Sequence, residues 1–141
     1  MKIIFQSKTF DYEKILKKFS LKNKYSGSII SFLGKVRKFK GKTKIESIDI
    51  EFYKKMAVIQ AKKAITALKK KVKIDDILII HRYGNLKPGE NIIIILVASK
   101  HRNKGFVFVQ EAIIFFKKKI TFWKKENFEN KSKWVNPISI D

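Results

Sequence analysis

Apolar and polar residues follow two different periods along this chain, and each period predicts a different kind of element. In residues 45–53 the side chains of Ile48, Ile50 and Phe52 alternate with polar residues, which is the pattern of a half-buried strand. Residues 54–71 instead repeat apolar side chains every three or four positions, with lysines between them, which predicts a helix packed by one face. The same criteria predict strands at 2–6, 28–33, 76–83 and 91–100 and helices at 11–19 and 103–119.

The order of these elements indicates an α+β fold, because the helices lie between pairs of strands and do not alternate with single strands. Residues 91–100 are apolar on both faces, which places them at the centre of a sheet. Residues 122–128 and 133–135 are predicted to form a final short hairpin. Residues 35–44 are rich in lysine and have no period, so we expect a mobile loop. We therefore expect a single domain over residues 1–141, with an antiparallel sheet and a small C-terminal β appendage.

The composition fits a protein with a real core in a reducing compartment. The chain has 141 residues, 45% of them hydrophobic, and twelve of them are phenylalanine. It has no cysteine, which excludes disulfides, thiolate metal sites and cysteine nucleophiles. The first ten residues lack the pattern of a secretory signal. The longest apolar run, Ile92–Ala98, is far shorter than the roughly 20 residues of a membrane-spanning helix. We expect a cytoplasmic protein without a membrane segment.

The formal net charge of +21 has two explanations. It can attract an acidic ligand or nucleic acid, or it can reflect a biased composition in which lysine fills most solvated positions. We favour the second explanation. The first keeps open an alternative function, that of a basic RNA-binding protein without catalysis, which needs exposed aromatic side chains on a sheet or a glycine-rich basic tail. A non-catalytic scaffold is a third possibility.

Arginine is scarce among the 33 basic residues, so each arginine is a candidate for a directed contact. The pair His101-Arg102 lies between a buried strand and a helix, where free backbone N–H groups favour anions. It can therefore bind a phosphate or carboxylate. The alternative is a solvated surface with Asn103 capping the helix.

The other two arginines favour plainer interpretations. The pair His81-Arg82 ends a strand just before a Pro-Gly turn, and no helix follows it at once. We expect a structural role there, with Arg82 holding an acidic partner in the fold. Arg37 lies where a strand becomes a loop, where a single arginine is usually solvated.

The third predicted helix ends in Lys117-Lys118-Lys119, followed by the aromatic and basic segment 122–126. Lysines stabilise a helix C-terminus through its dipole. A lysine crowded by like charges can also become a base or a nucleophile. We expect Trp123 to cover an edge of the core rather than to stack on a ligand. Two histidines without cysteine are too few for a metal site. Residues 99–126 thus predict a site for an anionic small molecule, assembled from the two ends of one helix.

Several motifs occur in an order that resembles the large, catalytic subunits of molybdopterin synthase, the MoaE family. They are residues 27–37, 48–57, 81–90, 99–102, 122–126 and 133–135. The resemblance implies an α/β-hammerhead-type domain and a sulfurtransferase of molybdenum cofactor biosynthesis. Sulfur would pass from the C-terminal Gly-Gly thiocarboxylate of a small ubiquitin-like subunit to cyclic pyranopterin monophosphate, which becomes the dithiolene of molybdopterin. The resemblance also implies a homodimer, a heterotetramer with the small subunit, and no cofactor.

The resemblance assigns roles to five residues. Lys117 and Lys124 would be catalytic, with Lys117 touching the incoming thiocarboxylate tail as an acid-base group or an acyl acceptor. Arg37, His101 and Arg102 would bind the substrate. The chain departs from the family at two places. Thr121 stands where the family often has proline, and residues 136–138 stand where some members carry an active-site arginine.

Overall fold

The computed structural model describes residues 1–120 and 122–135, so both departures from the family pattern, at Thr121 and residues 136–138, lie outside the described residues. The described part contains three helices and ten strands. In chain order they are β1 (Lys2–Gln6), α1 (Tyr12–Lys22), β2 (Ser28–Lys35), β3 (Phe39–Lys40), β4 (Thr43–Lys44), β5 (Ser47–Phe52), α2 (Lys54–Lys71), β6 (Asp76–Arg82), β7 (Gly84–Leu86), β8 (Asn91–Ser99), α3 (Arg102–Lys118), β9 (Phe122–Asn127) and β10 (Ser132–Val135).

The first sheet has the strand order β1-β6-β8-β2, with β8 in its interior as predicted. Alternate residues of β8 enter two separate cores. Ile95 and Val97 face the core that holds α2 and α3, while Ile94 and Leu96 face the core that holds α1. The pairs β6–β8 and β2–β8 are antiparallel, as expected, but β1 pairs with β6 in parallel. Two of the three strand pairs are antiparallel, which confirms the α+β class against a parallel α/β sheet. Helices cover both faces of the sheet.

Helices α2 and α3 pack on the first sheet through different kinds of residue. In α2 the buried side chains are Ala57, Ala61 and Ile65, and the two alanines allow the helix to lie close to its neighbours. In α3 large buried side chains such as Phe108 and Phe116 fill the same core. Because Phe116 is buried, the rotation of α3 about its axis is fixed up to its last turn.

The second sheet has the order β10-β9-β5-β7, and all its pairs are antiparallel. The predicted C-terminal hairpin is present as β9 and β10. However, β9 also pairs with β5 over its whole length, from Ser47 opposite Asn127 to Phe52 opposite Phe122. Strands β9 and β10 are therefore built into the second sheet.

The segment 35–44, expected to be a mobile loop, contains the short hairpin β3–β4, with Gly41 at a φ of 61° in its turn. The backbone N–H of Ile45 donates to the carbonyl of Lys38 at 2.7 Å and closes the base of the hairpin. The Lys40 ammonium contacts Glu126 of β9 at 3.2 Å. This last contact joins residues far apart in sequence, so local periodicity did not reveal it.

Gly27 provides a test of the packing at the start of β2. A Cβ atom at this position would overlap the backbone carbonyl oxygen of Lys100, which cannot move without shifting the junction of β8 and α3. We expect Gly27→Ala to lower the free energy of unfolding by about 2 kcal/mol, the usual cost of overpacking. Thermal or urea unfolding measures this. The exposed Lys17→Ala in α1 is the control and should change stability by less than about 0.5 kcal/mol. Equal stability of the two variants would contradict this account.

Candidate functional site

A cavity of about 470 Å³ lies where the end of β2, the C-terminus of α3 and the inner face of the second sheet meet. Most of its wall is apolar, and a few charged side chains border it. Its size and its mixture of apolar walls with a few polar groups are typical of a small-molecule site.

Three of the five predicted site residues border this cavity, namely Arg37, Lys117 and Lys124. They come from three different parts of the chain: the segment after β2, the last turn of α3, and β9. Lys35 adds a fourth cation. Such a convergence of positive charge around an apolar cavity favours an anionic ligand with an apolar body.

The position of Arg37 is determined by backbone contacts on both sides of Val36. The pairing of β2 with β8 shifts register between Gly34 and Lys35, which bends the end of the strand. Val36 is buried, its N–H donates to the carbonyl of Glu90 at 2.9 Å, and its carbonyl accepts from the N–H of Gly89 at 2.8 Å. The backbone before Arg37 is therefore anchored beside the cavity, and Arg37 itself is exposed, as the sequence suggested.

The period of β9 places Lys124 on the cavity side. Phe122, Lys124 and Glu126 border the cavity, so Trp123 and Lys125 lie on the opposite face of the sheet. Trp123 is 48% exposed. The expectation that Trp123 covers an edge of the core was wrong, because Trp123 lies on the outer face of β9, whereas Phe122, Lys124 and Glu126 of the inner face border the cavity.

His101 and Arg102 lie at the opposite end of α3 from Lys117. Fifteen residues of helix separate Arg102 from Lys117, or about 22 Å at 1.5 Å per residue. Both His101 and Arg102 are exposed, and neither borders the cavity. The prediction that the two ends of one helix form one site is therefore wrong within a single chain.

The start of α3 nevertheless keeps the character of an anion site. His101 occupies the N-cap position and makes no side-chain capping hydrogen bond. Asn103, which we expected as the cap, lies inside the helix, and its side-chain oxygen accepts from the N–H of Lys104 at 2.9 Å. Asn103 therefore occupies one N–H of the first turn, while His101 supplies no side-chain acceptor for the remaining N–H groups, which can bind an external anion.

His81 is buried in the wall of the cavity. Its Nδ1–H donates to the carbonyl of Arg82 at 2.7 Å, and its ring stacks on Phe122 with centroids 4.4 Å apart. Burial lowers the pKa of His81 to about 4, although the hydrogen bond to Arg82 opposes this shift. His81 is therefore neutral near pH 7 and does not bind an anion through a positive charge.

Arg82 has the structural role that its position predicted. It is buried, and its guanidinium donates to the carbonyl of Ser7 at 3.0 and 3.2 Å and to that of Asn91 at 3.2 Å. Its expected acidic partner is Glu90, at 4.0 Å. These contacts tie the end of β1 to the turn that precedes β8.

Glu126 is a cavity residue that the sequence analysis did not single out. Its side chain is 1% exposed, and one carboxylate oxygen accepts from Lys40 at 3.2 Å. The signal was present in the sequence, since the strand period places Glu126 on the same face as Lys124. Its burial could not be inferred, because it depends on the pairing with β5 and on Lys40.

Comparison with known proteins identifies relatives of this chain. The family model for the MoaE protein matches residues 5–119. A molybdopterin synthase catalytic subunit from Ralstonia nicotianae is 30% identical over 82% of this chain and 65% of that relative, just under two thirds of its length. The crystal structure of molybdopterin synthase from Staphylococcus aureus is 28% identical, with a TM-score of 0.83 over 96% of both chains. A complex of subunits 1 and 2 of the molybdopterin-converting factor from Helicobacter pylori matches at 21% identity and a TM-score of 0.77, over 98% of this chain and 91% of that one, which shows the same fold.

The burial of His81 predicts a specific dependence of stability on pH. Between about pH 6.5 and 4 the unfolded chain binds a proton at His81 that the folded chain does not, so stability falls as the pH is lowered through this window. The full effect is at most about 3 kcal/mol. His81→Asn keeps an N–H donor near Nδ1 but does not titrate. We expect the stability advantage of the wild type over this variant, measured by urea unfolding, to shrink from pH 7 to pH 4.

Asp49 and Asp76 also have lowered pKa values, and they contribute to the pH dependence of both proteins equally. Only the difference between the wild type and His81→Asn therefore reports on His81. A difference that stays constant from pH 7 to pH 4 would contradict the buried, neutral state of this histidine.

Proposed function

The chain belongs to the MoaE family, and from this membership we propose that it catalyses the sulfur transfer that makes molybdopterin. The family places it among the enzymes of molybdenum cofactor biosynthesis. In the proposed reaction a small ubiquitin-like protein carries sulfur as a C-terminal thiocarboxylate, and cyclic pyranopterin monophosphate receives it. The observation that carries this proposal is the convergence of Arg37, Lys117 and Lys124 on one largely apolar cavity.

Both proposed reactants are anions that need cations at defined places. Arg37 binds the phosphate or the oxygen of the opening ring, and its planar fork suits such oxygens. Lys117 lies in the last turn of α3 and contacts the thiocarboxylate end of the donor tail, where it acts as an acid-base group or as a transient acyl acceptor. Lys124 stabilises negative charge beside the pterin. The apolar wall accommodates the flat ring and keeps water from the acyl group.

A second copy of the chain supplies the remaining predicted contacts in this proposal. His101 and Arg102 cannot reach their own cavity along about 22 Å of helix, so they bind substrate only if a neighbouring chain brings them there. The surface beside them supports such an interface, since Phe106 is 59% exposed and Val107 is 47% exposed in the first turns of α3. A homodimer thereby gives two cavities, each completed by the other chain.

The donor protein is the second proposed partner. The matched Helicobacter pylori structure is named as a complex of subunits 1 and 2 of the molybdopterin-converting factor, and we propose a comparable small subunit for this chain. Its Gly-Gly tail binds extended, as tails do when they add backbone hydrogen bonds to a strand edge. Strand β10 is an edge strand of the second sheet, and its last residue, Val135, borders the cavity. We place the reaction in the cytoplasm, and no helix of the described residues has the length and apolar character to cross a membrane.

The alternative of a basic RNA-binding protein is not supported by the relatives reported above, which are named for molybdopterin synthesis or the molybdopterin-converting factor. Trp123 and Trp134 are half exposed on the outer face of the second sheet. They form the exposed aromatic surface that an RNA-binding function needs. However, the Lys125 ammonium lies 5.5 Å from the centre of the Trp134 ring, so this ring already has a cation–π contact within the protein.

Lys117 is tested against its neighbour in the same turn of α3. We expect Lys117→Ala to lower turnover at least 100-fold, as the loss of an acid-base group or acyl acceptor does, with no change in melting temperature. Lys118→Ala removes an equal charge from the same helix end and should retain activity within about threefold. The assay combines purified protein, thiocarboxylated small subunit and cyclic pyranopterin monophosphate. Normal turnover by Lys117→Ala would show that the catalytic assignment is wrong.

The shared site is tested by mixing two inactive variants in one dimer. Lys117→Ala and Arg102→Ala are co-expressed with different affinity tags, and the mixed dimer is purified through both tags. If each cavity takes Lys117 from one chain and Arg102 from the other, one of the two sites is intact, and about half of the wild-type activity returns. Each variant alone stays inactive. A mixed dimer without activity would mean that the two residues do not act in a site shared between chains.

A further inference from the structure

One buried oxygen at the cavity lacks a hydrogen-bond partner. Within residues 1–120 and 122–135, Oε2 of Glu126 is the buried side-chain oxygen or nitrogen that forms no hydrogen bond. The residue is 1% exposed, so bulk water does not solvate this oxygen. Burying a carboxylate oxygen without a hydrogen-bond donor costs free energy. In native proteins such an oxygen calls for an explanation, for example a role in binding, an ion or an ordered water.

The rest of the carboxylate is held in place. Its Oε1 accepts from the Lys40 ammonium at 3.2 Å, so one oxygen is occupied and the other is left for a different donor. Glu126 also borders the cavity, on the same face of β9 as Phe122 and Lys124. The free oxygen therefore belongs to a carboxylate fixed in the wall of the proposed active site.

The residues that border the cavity offer a ligand two kinds of polar contact. Lys35, Arg37, Lys117 and Lys124 are cations and suit an anionic end. Among the described residues that border the cavity, Glu126 is the only one with a carboxylate, which repels that end and favours a group that donates hydrogen bonds. A pterin ring carries such donors on its aminopyrimidine edge, at the exocyclic amine and the adjacent ring N–H. Phe116 and Phe122 also border the cavity and provide apolar surface for a flat heterocycle, with Lys124 between Phe122 and Glu126 on this face of β9.

We propose that Glu126 is a specificity-determining residue, whose Oε2 accepts a hydrogen bond from the aminopyrimidine edge of the bound pterin. This inference rests on the proposed function and adds the orientation of the substrate. The aminopyrimidine end lies at Glu126, and the phosphate end lies toward the cations. A flat anion without an N–H edge leaves Oε2 unpaired and is bound less well.

The competing explanation is that Glu126 serves only to anchor the β3–β4 hairpin through Lys40. The two roles separate in a pair of variants. Glu126→Gln keeps the shape of the side chain and removes the charge of the acceptor. Lys40→Met removes the anchoring ion pair and leaves the carboxylate in place, so it is the matched control.

The experiment measures equilibrium binding to the full-length protein without the small subunit, so that no turnover occurs. The probes are cyclic pyranopterin monophosphate, neopterin, the 2-deamino analogue of neopterin, and inorganic phosphate. We expect Glu126→Gln to bind cyclic pyranopterin monophosphate and neopterin roughly 10- to 100-fold more weakly than the wild type does, which is the range for loss of a charge-assisted hydrogen bond. Its affinity for inorganic phosphate should not change. Lys40→Met should bind the pterins within about threefold of wild type. Wild-type protein should bind the deamino analogue more weakly than neopterin, and Glu126→Gln should discriminate less between them.

Three results would overturn the inference. Wild-type affinity of Glu126→Gln for the pterins, or an equal loss in Lys40→Met, would leave Glu126 with a structural role alone. Equal affinity of the wild type for neopterin and its deamino analogue would also leave Glu126 with a structural role alone. This comparison uses only wild-type protein, so it does not depend on whether the variants fold. Failure of wild-type protein to bind cyclic pyranopterin monophosphate at all would instead overturn the proposed function, and with it the orientation of the substrate.

Discussion

The antiparallel pairing of β5 with β9 is the contact on which the candidate site depends. It sets Ile48 opposite Glu126 and Ile50 opposite Lys124, and so directs both charged side chains to the cavity. A slip of one residue would turn them to the outer face and bring Trp123 and Lys125 inward. A second set of contacts on the outer face holds the register. Asp49 accepts hydrogen bonds from Asn127 and Asn85, both at 2.8 Å, and these bonds keep the pKa of its carboxyl below the usual value.

Most of the positive charge of this protein lies away from the cavity. Helix α2 has lysines along its solvent face and no acidic residue in its first turn, yet its buried side is an ordinary apolar stripe. The cavity differs in the origin of its cations rather than in their number, since Arg37, Lys117 and Lys124 come from three separate elements. A biased composition can place lysines anywhere on a surface, but it cannot make three elements converge on one apolar pocket. The local convergence is therefore better evidence for function than the net charge of +21.

The length of α3 has a consequence for assembly. The helix is rigid and carries a candidate anion site at its start and Lys117 in its last turn. Rigidity fixes their separation at about 22 Å, which is longer than any single small substrate can bridge. If both ends serve one reaction, the fold itself requires two chains, and the exposed apolar side chains near the start of α3 lie where the second chain would have to pack.

The amino-acid sequence was sufficient for the features that depend on neighbours along the chain. The periods of apolar residues located the three helices and the main strands, and two apolar faces identified β8 as an interior strand. Features that depend on residues distant in sequence were not accessible in this way. The carbonyl groups of Ser7 and Asn91 that Arg82 contacts, the exposure of Trp123 and the burial of Glu126 beside Lys40 are set by strands or hairpins elsewhere in the chain. Local patterns report which face of an element is apolar, whereas only packing in three dimensions establishes which elements share that face and therefore which charges meet.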